Sequence, residues 1–517
     1  MSSYTYRHYP YVRPMELEAP GKRQPVVIVG AGIAGPTLAL SLATRGVPVL
    51  LLDEDDTVSL GSRSICQAKH SLETWDRFGI AQRMVEKGIT WEQGEVYLRD
   101  KAIYRFNLTP EPGHKFPAFV NLQQYYVEEY LYERCAAERL IEMRPLNKVI
   151  GVASHDDGVT LTVETPDGRY QIEADWVVAC DGVRSPIRHM LGLPYPGEVF
   201  NDRFLIADVR VEGDLPKERR FWFYPPFHPT NSVLLHRQAD DILRVDFQLG
   251  RDADPDEEKK PESIDRRLRQ MFGPDAHWQH EWSSVYTFAC RMMERFVHGR
   301  VIFAGDAAHV VSPFGARGGN AAVADADNLA WKLARVVAGT SPPGLLESYC
   351  RERRMASQEN IRQSTRSTDF ITPKFEASRI FRDATLALAR DFPFARALIN
   401  SGRLSVPTAH TGSTLDTPDR DDDWAGGPAP GGAMLDAPVG EGWLIDRLGP
   451  EFTVLGFDSP VDVAGVTSVA CSGLLAKRYD ARPGTVYLIR PDRYVAARWR
   501  RYDKEAVGAA LARATGN

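Results

Sequence analysis

Asp306 and His309 lie three residues apart in the stretch AGDAAHVVSPFGARGGN, residues 304–320, among alanines and ahead of Gly315, Gly318 and Gly319. An acid accepts hydrogen bonds from hydroxyls, and a glycine-rich turn opening a helix aims backbone N–H groups at partial negative charge on a flat ring. The stretch therefore suits a bulky polar ligand that approaches the backbone closely. His309 is read as a packing, backbone-bonding histidine ahead of a catalytic one. A second cluster, Gly30-x-Gly32-x-x-Gly35, is followed by an acid, Asp53. Gly30 permits a tight turn, Gly32 lets the backbone approach a pyrophosphate, Gly35 lets helix and strand pack, and the acid can hold ribose hydroxyls, so this cluster predicts dinucleotide binding. A third, Asp181-Gly182 with Arg184 and Arg188 behind it, reads alone as a plain strand–turn–helix with solvated arginines.

Each cluster needs a framework. PVVIVG, residues 25–30, is a short apolar β-branched run, IAGPTLALSLATRG has helical periodicity ending at Gly46, and VPVLLLD is the next buried strand. The chain thus opens strand–helix–strand, with the glycine fingerprint at its first turn. Residues 71–89 and 122–140 read as helices, and GVTLTVETPDGRYQIEADWVVAC as a hairpin turning at Asp167-Gly168 and running into a buried strand. RFLIADVRVEG, RRFWFYPP, SVLLHRQ and ILRVDFQLG predict an antiparallel sheet between about 193 and 295. RVIFAGDAAH returns to a buried strand whose C-terminal edge is where open α/β sheets bind ligands. Helices over 320–338, 344–366 and about 376–399 follow. Residues 416–438, rich in Pro, Gly and Asp, read as a linker. The expected organisation is an N-terminal extension (1–24), the first part of a Rossmann-like dinucleotide domain (25–192), an antiparallel-sheet domain (193–295), the return of the first domain with its helices (296–415), the linker, and a small α/β domain (439–517).

A chain of 517 residues implies two to four such domains, and 43% hydrophobic with 26% charged residues is ordinary globular composition. A net charge of −6 carries no basic excess, which argues against nucleic acid or anionic lipid as partner. No run approaches the roughly 20 apolar residues of a membrane span, and the N-terminus does not read as a signal peptide. The six cysteines are dispersed without a Cys-x-x-Cys pair, so neither a metal site nor a disulfide framework is expected, and a reducing cytoplasm fits. Tyr4, Tyr6, Tyr9 and Tyr11 are read as a frayed tail ahead of a docked one.

Acid–base candidates come from the antiparallel sheet. On a strand, Trp222 and Tyr224 share one face and Phe221 and Phe223 the other. His236 and Gln238 share a face, as do Arg244, Asp246 and Gln248. If that polar face meets the ligand, His236 and Asp246 are candidates; if the Val245, Phe247 and Leu249 face does, the pocket is apolar; a solvated polar face is a third reading. Tyr224 and Tyr286 complete the set, and Arg317 or Arg291 could pair with a carboxylate.

In order and spacing, the three clusters resemble the FAD-dependent aromatic hydroxylases, single-component flavoprotein monooxygenases with the fold of para-hydroxybenzoate hydroxylase. The resemblance covers about 25–400. It implies FAD held by Gly30, Gly32, Ala34, Gly35, Asp53 and Glu54 in the first motif, by Asp181 in the second and by Gly305 and Asp306 in the third. Arg63, in GSRSICQAKHSLETWDRFGI, and Gln124, in NLQQYYVEEYL, match further FAD contacts, and Pro313, Gly318, Gly319 and Asn320 match the loop beside the flavin ring. The C-terminal domain looks like the thioredoxin-like tail of the phenol hydroxylase and 3-(3-hydroxyphenyl)propionate hydroxylase branch; without Cys-x-x-Cys its expected role is structural or dimer-forming, which would make a homodimer.

The resemblance further implies that NADH or NADPH reduces FAD, that O2 then forms a C4a-hydroperoxide, and that a phenolic or related aromatic substrate attacks it and is hydroxylated. There are departures. Glu54 stands where many relatives have a basic residue, and Ile65 stands where phenol hydroxylases place a catalytic aspartate. The alternatives are epoxidation, oxidative decarboxylation or a Baeyer–Villiger-type insertion on the same scaffold, or a non-catalytic FAD-binding protein. Halogenation is disfavoured because no Gly-Trp-x-Trp-x-Ile-Pro segment occurs.

Overall fold

The computed structural model describes residues 4–108, 112–211, 213, 216–250, 252–399, 404–420, 423–458 and 466–517. Its first sheet has the expected strand–helix–strand opening at its centre. Gln24–Val29 pairs in parallel with Val49–Leu52 on one side and with Gly168–Ala179 on the other. Val301–Phe303 extends the parallel set beyond Gly168–Ala179, and Ile141–Arg144 extends it beyond Val49–Leu52. These strands are near-continuous apolar runs because helices cover the sheet. Ala34–Ala43 is buried along its whole length against the Gly318–Val337 helix. The hairpin of Val159–Thr165 and Gly168–Ala179 forms with Thr165 opposite Gly168, so the two turn residues are Pro166 and Asp167, one position earlier than expected.

The second sheet is antiparallel apart from one parallel pair and has eight strands. Its order is His309–Val310, Trp278–Met292, Gly197–Val211, Ile242–Gln248, Ser232–Arg237, Arg219–Phe223, Gln93–Leu98, Lys101–Asn107. The last two strands come from within residues 25–192, so a segment ahead of the expected boundary crosses over to build the sheet edge, pairing in parallel with Arg219–Phe223. One face carries Leu205, Val209, Val233, Leu235, Val245, Phe247 and Leu249, packed on Ile264 and Leu268 of the helix Pro261–Phe272. The other face looks toward the first domain.

Local breaks follow elementary rules. The helix expected over 71–89 is two, Lys69–Asp76 and Ala81–Lys87, because Gly79 takes a φ of +75° between them. The 122–140 helix is Gln124–Ala136, and the one expected over 376–399 stops at Ala389 and restarts at Pro393, where the ring disfavours a helical conformation for Phe392.

Two expectations about the ends are overturned. The N-terminal tyrosines are docked: Tyr4 stacks on Tyr125 at 4.2 Å and Tyr9 on Tyr132 at 4.0 Å, both partners on the Gln124–Ala136 helix. Aromatic area is too large to leave in water when a helix offers three tyrosines spaced along one flank. The 416–438 segment is not a free tether. Thr417 N–H donates to Ala496 O at 2.8 Å, Arg498 bonds Asp419 at 2.7 Å and also the Gly426 carbonyl, and Ala437 is fully buried. Asp421 and Asp422 of that segment lie outside the described residues. The C-terminal unit has a four-stranded sheet in the order Val466–Val469, Thr453–Phe457, Val486–Ile489, Val495–Trp499, closed by the helix Lys504–Ala514. It meets the first domain through buried charges: Arg490 bonds both oxygens of Glu352 at 2.8 Å, and Glu352 also takes Lys332 at 2.6 Å.

Candidate functional site

The first turn is built by collision. A Cβ on Gly30, whose φ is +105°, would run into the Cys180 carbonyl, and one on Gly35 would run into the Gly30 carbonyl. Gly32 differs: a Cβ there would meet only Glu128 Oε1, at 3.7 Å. Its bareness serves no packing partner and leaves the backbone open to a ligand. Ala34 heads the helix and is buried with it. Asp53 ends its strand and accepts from the N–H groups of Ala31 and Asp55, the latter at 2.8 Å. Burial nonetheless pushes its carboxyl up to about 6. Glu54 turns outward to Lys148, 2.9 Å away, an exposed pair on the sheet surface rather than a group aimed at the turn.

Arg63 stands exposed on the loop after the second strand, where its charge is felt by Asp306 and Tyr286. That loop is clipped from behind. Gln124 Oε1 accepts from Ser64 N–H at 3.1 Å, and its amide donates to Glu128 at 2.8 Å. Glu128 also takes the Ser59 N–H at 2.8 Å, and the Tyr6 hydroxyl accepts from Gly61 N–H at 2.8 Å. Gln124 therefore braces the loop rather than standing free. Glu128 and Tyr6 were not foreseen; Glu128 was within reach of the sequence as the residue one helical turn after Gln124.

The second and third clusters interlock. Asp181 accepts from Ile187 N–H at 3.1 Å, while its other oxygen is buried without a partner. Arg188 is buried rather than solvated: it donates to Ala307 O at 2.8 Å and lies 3.9 Å from the Tyr195 ring, whose hydroxyl donates to Asp306 O at 2.9 Å. Asp306 stays open to the cleft, yet surrounding protein raises its carboxyl against the pull of His309. His309 is a packing residue, as read, but pairs with a carboxylate rather than with backbone: its Nε2 meets Asp325 at 2.6 Å. Arg353 donates to the same carboxylate at 2.6 Å and Gly305 N–H at 3.0 Å. The charges beside it hold Asp325 down to about 2 despite its burial.

The following helix begins at Gly318, two residues earlier than expected, so the N–H groups of Gly318 and Gly319 stand at its end, with Pro313 exposed on the loop ahead of it. The Asn320 side chain is spent within the protein: it accepts from Ala68 N–H and the Ser71 hydroxyl and donates to the carbonyls of Cys66 and Ala316, all at 2.7–2.9 Å. Only its backbone is left for a ligand. Arg317 is likewise committed, to Asn360 at 3.2 Å, and Arg291 is half-buried on the Trp278–Met292 strand.

The polar face of the second sheet is the one that faces inward. Phe221 and Phe223, with Phe314 of the loop, line a cavity together with Phe370, Ile371 and Leu404. Trp222 faces the opposite way, against Tyr97. Tyr224 leaves the alternation: with a φ of +53° it packs with the Phe221 side, and its hydroxyl is turned to Asp383 at 3.4 Å. His236 and Asp246 approach to 3.8 Å on the inner face; His236 Nδ1 and Asp246 Oδ1 are buried without partners. Burial pushes Asp246 up to about 6 and, with Arg219 and Arg244, holds His236 well below its ordinary range, neutral. Tyr286 packs against Phe288 on this face, its phenol raised by burial and by Asp306. Gln238 and Arg244 are consumed by Asp208, at 3.1 and 2.7 Å. Ile65 is buried beside Cys66 and Phe119, so no acid occupies that position.

Comparison with known proteins agrees with this geometry. The family described as "FAD binding domain" matches residues 23–364. A 3-(3-hydroxy-phenyl)propionate/3-hydroxycinnamic acid hydroxylase of Burkholderia vietnamiensis is 27% identical over 92% of this chain and 93% of its own. A 6-methylpretetramide 4-monooxygenase of Streptomyces rimosus is 32% identical over 66% of this chain and 60% of its own. Among solved structures, the flavin-dependent monooxygenase PieE, in complex with FAD and substrate, superposes with a TM-score of 0.83 at 22% identity, covering 96% of this chain and all of that one. The chain belongs to the FAD-binding domain family and is a flavin-dependent monooxygenase of the hydroxylase type. The site fits the cofactor: an open glycine, an acid at the strand end, an orphaned buried oxygen on Asp181 and N–H groups at a helix start are the donors and acceptors a flavin dinucleotide requires. Among the described residues no helix is long and apolar enough to cross a membrane, and no cluster of metal-ligating side chains occurs.

Proposed function

We propose that this chain hydroxylates a phenolic aromatic substrate with O2 and NADH or NADPH, in the cavity between the second sheet and the 312–320 loop. The observation that carries the reading is the inner sheet face, where an aromatic wall stands beside a buried histidine and acid with free polar atoms. Gly32 would admit the pyrophosphate, Asp53 the adenosine ribose, and Asp306 with the N–H groups of Gly318 and Gly319 the flavin side. When bound, FAD supplies the oxygen-activating redox chemistry.

The chain's own residues do the rest. Phe221, Phe223 and Phe314 bury the ring and exclude water, which strengthens every polar contact inside. Asp246, ionised above about pH 6, is the residue best suited to draw the phenol proton, directly or through neutral His236. Loss of that proton raises the nucleophilicity of the ring. Tyr224 is better suited to closing the far end of the cavity, since its hydroxyl faces Asp383. The strand order of the C-terminal sheet, one parallel pair followed by two antiparallel ones and a helix, supports its thioredoxin-like reading.

The test is a panel of substituted phenols scored for stimulated NAD(P)H oxidation and for product mass. A gain of one oxygen with a matching phenol supports the reading. A yellow protein that no phenol stimulates sinks phenol hydroxylation and turns the question to the other flavin oxygenations on this scaffold.

A further inference from the structure

The four exposed phenylalanines of the described residues, Phe375, Phe381, Phe392 and Phe394, lie in one short stretch, on and around the helix Glu376–Ala389. That helix has two apolar faces. The inner one, with Leu386 and Ala389, packs in the cluster that contains Phe221, Phe223 and Phe314 of the cavity wall. The outer one carries Ala377, Phe381, Ala384 and Leu388, spaced four, three and four residues apart and all exposed. Ile380, 60% exposed, and Ala387 widen this stripe. Phe392, whose N–H donates to Leu388 O at 2.9 Å, continues it by a turn, with its ring 6.0 Å from that of Phe394. Single apolar side chains on a surface are ordinary, whereas a continuous stripe marks a contact face.

This spacing is the seam by which one helix packs on another, and large residues alternating with alanine leave holes for a partner's knobs. The stripe offers on the order of 700 Å² of apolar surface, more than the largest patch of an ordinary monomer and close to the ~800 Å² that each partner gives to a stable complex. The charges select the partner. Glu376 and Arg390 flank the stripe on the same side at opposite ends. Each is held only by a chain neighbour, Arg379 at 3.7 Å and Asp391 at 3.0 Å, in exposed pairs of little strength. A rim of both signs suits a protein rather than an anionic bilayer, and opposite signs at the two ends of one flank complement themselves in an antiparallel pair. We propose that this face pairs with the same face of a second copy of the chain, the two helices antiparallel about a two-fold axis near Asp383. Glu376 of each copy then lies beside Arg390 of the other, and Phe381 packs beside the other copy's Ala384. Arg382, on the inner side, donates to Ile371 O at 3.1 Å, so the pairing braces the cavity wall of both copies. It moves the dimer contact from the C-terminal unit, where the sequence placed it, to this helix.

The test is sedimentation velocity on the FAD-loaded full chain between about 1 and 50 µM, where an interface of this size associates. Wild type should reach twice the chain mass. Phe381→Glu and, separately, Leu388→Glu should weaken association at least about 30-fold, with FAD content and far-ultraviolet circular dichroism unchanged. Glu376→Arg should weaken it as well, and adding Arg390→Glu to the same chain should restore it. A wild type that stays monomeric throughout overturns the proposal, as does an association that either glutamate variant leaves unchanged, or a double charge swap that restores nothing. A monomer that instead binds vesicles of phosphatidylcholine and phosphatidylglycerol also overturns it and gives the face to a lipid surface.

Discussion

Single glycines in the first turn separate folding from binding. Gly32 meets nothing closer than Glu128 at 3.7 Å, so Gly32→Val should fold normally, yet hold FAD at least about tenfold more weakly, ~1.4 kcal/mol. Gly35→Ala, which collides with the Gly30 carbonyl, should instead lower the melting temperature. Differential scanning fluorimetry and flavin content, measured on both, test the distinction; equal thermal losses would defeat it. Titration makes a second prediction. Asp53 is raised to about 6, and as a carboxylate it accepts from ribose hydroxyls, so FAD affinity should fall as pH drops through about 6. Asp53→Asn should flatten that dependence in a fluorescence titration. Asp325 has the opposite sign. Its pKa is depressed to about 2, so the stability it contributes is full above its ordinary value near 4 and is lost as pH falls from there toward 2. Asp325→Asn strands Arg353 and His309 and should cost about 3–5 kcal/mol at neutral pH, read by denaturant melts.

At the scale of elements, the N-terminal run of tyrosines acts on the loop that carries Arg63. Tyr6 bonds Gly61, while Tyr9 N–H donates to Asp56 O at 2.6 Å. Tyr6→Phe should therefore weaken FAD about fivefold, the equivalent of ~1 kcal/mol for one hydrogen bond, with little change in overall stability. Unchanged affinity in a direct titration would reduce these tyrosines to surface packing. The sequence made some elements legible and not others, for physical reasons. The parallel strands and the glycine turn announce themselves through apolar runs and a register of local spacing. The docking of Tyr4 and Tyr9 does not, because the partners Tyr125 and Tyr132 lie more than a hundred residues away. The inner face of the second sheet was narrowed only to two options by alternation; which option holds depends on where the Pro261–Phe272 helix packs. Tyr224 was misplaced because a positive φ ends the strand's alternation there, and nothing in FYPP signals that turn uniquely. Asn320 matched a motif yet is consumed by four internal bonds, a reminder that spacing locates a backbone, not the side chain's engagement.

For the molecule as a whole, the C-terminal unit is welded to the first domain rather than appended to it. Glu352 receives Arg490 from that unit and Lys332 from the first domain; Asn328 bonds Asp492 at 2.9 Å, and Arg493 reaches Asp327 at 3.1 Å. Removing the unit would leave Glu352, Asn328 and Asp327 short of partners on a stripped apolar surface around Trp331 and Leu345. A chain ending near Asp416 should therefore be unstable. The sharper test is Arg490→Met, expected to cost about 3–5 kcal/mol because Glu352 keeps its charge with fewer partners. If urea unfolding of that variant matches wild type, the interface is not a source of stability.

The span that supplies five strands of the second sheet leaves the first domain and returns to it at almost one point. Gly197 pairs with Arg291, and Met292 N–H donates to Pro196 O at 3.0 Å, so the entering and leaving chains are stitched together. Just outside that stitch, Arg188 and Tyr195 on one side of the neck hold the carbonyls of Ala307 and Asp306 on the other. The neck behaves as a socket. Whatever lies between residues 197 and 291 can be lengthened, shortened or re-lined without moving the ends, and therefore without disturbing the Asp181 and Asp306 positions. Selection acting on such an arrangement is free to trade one cavity wall for another while inheriting the redox apparatus unchanged. The unit to exchange with a relative is accordingly residues 198–290 together with the 93–107 edge strands that pair with them, whereas the 188–197 neck is to be left in place.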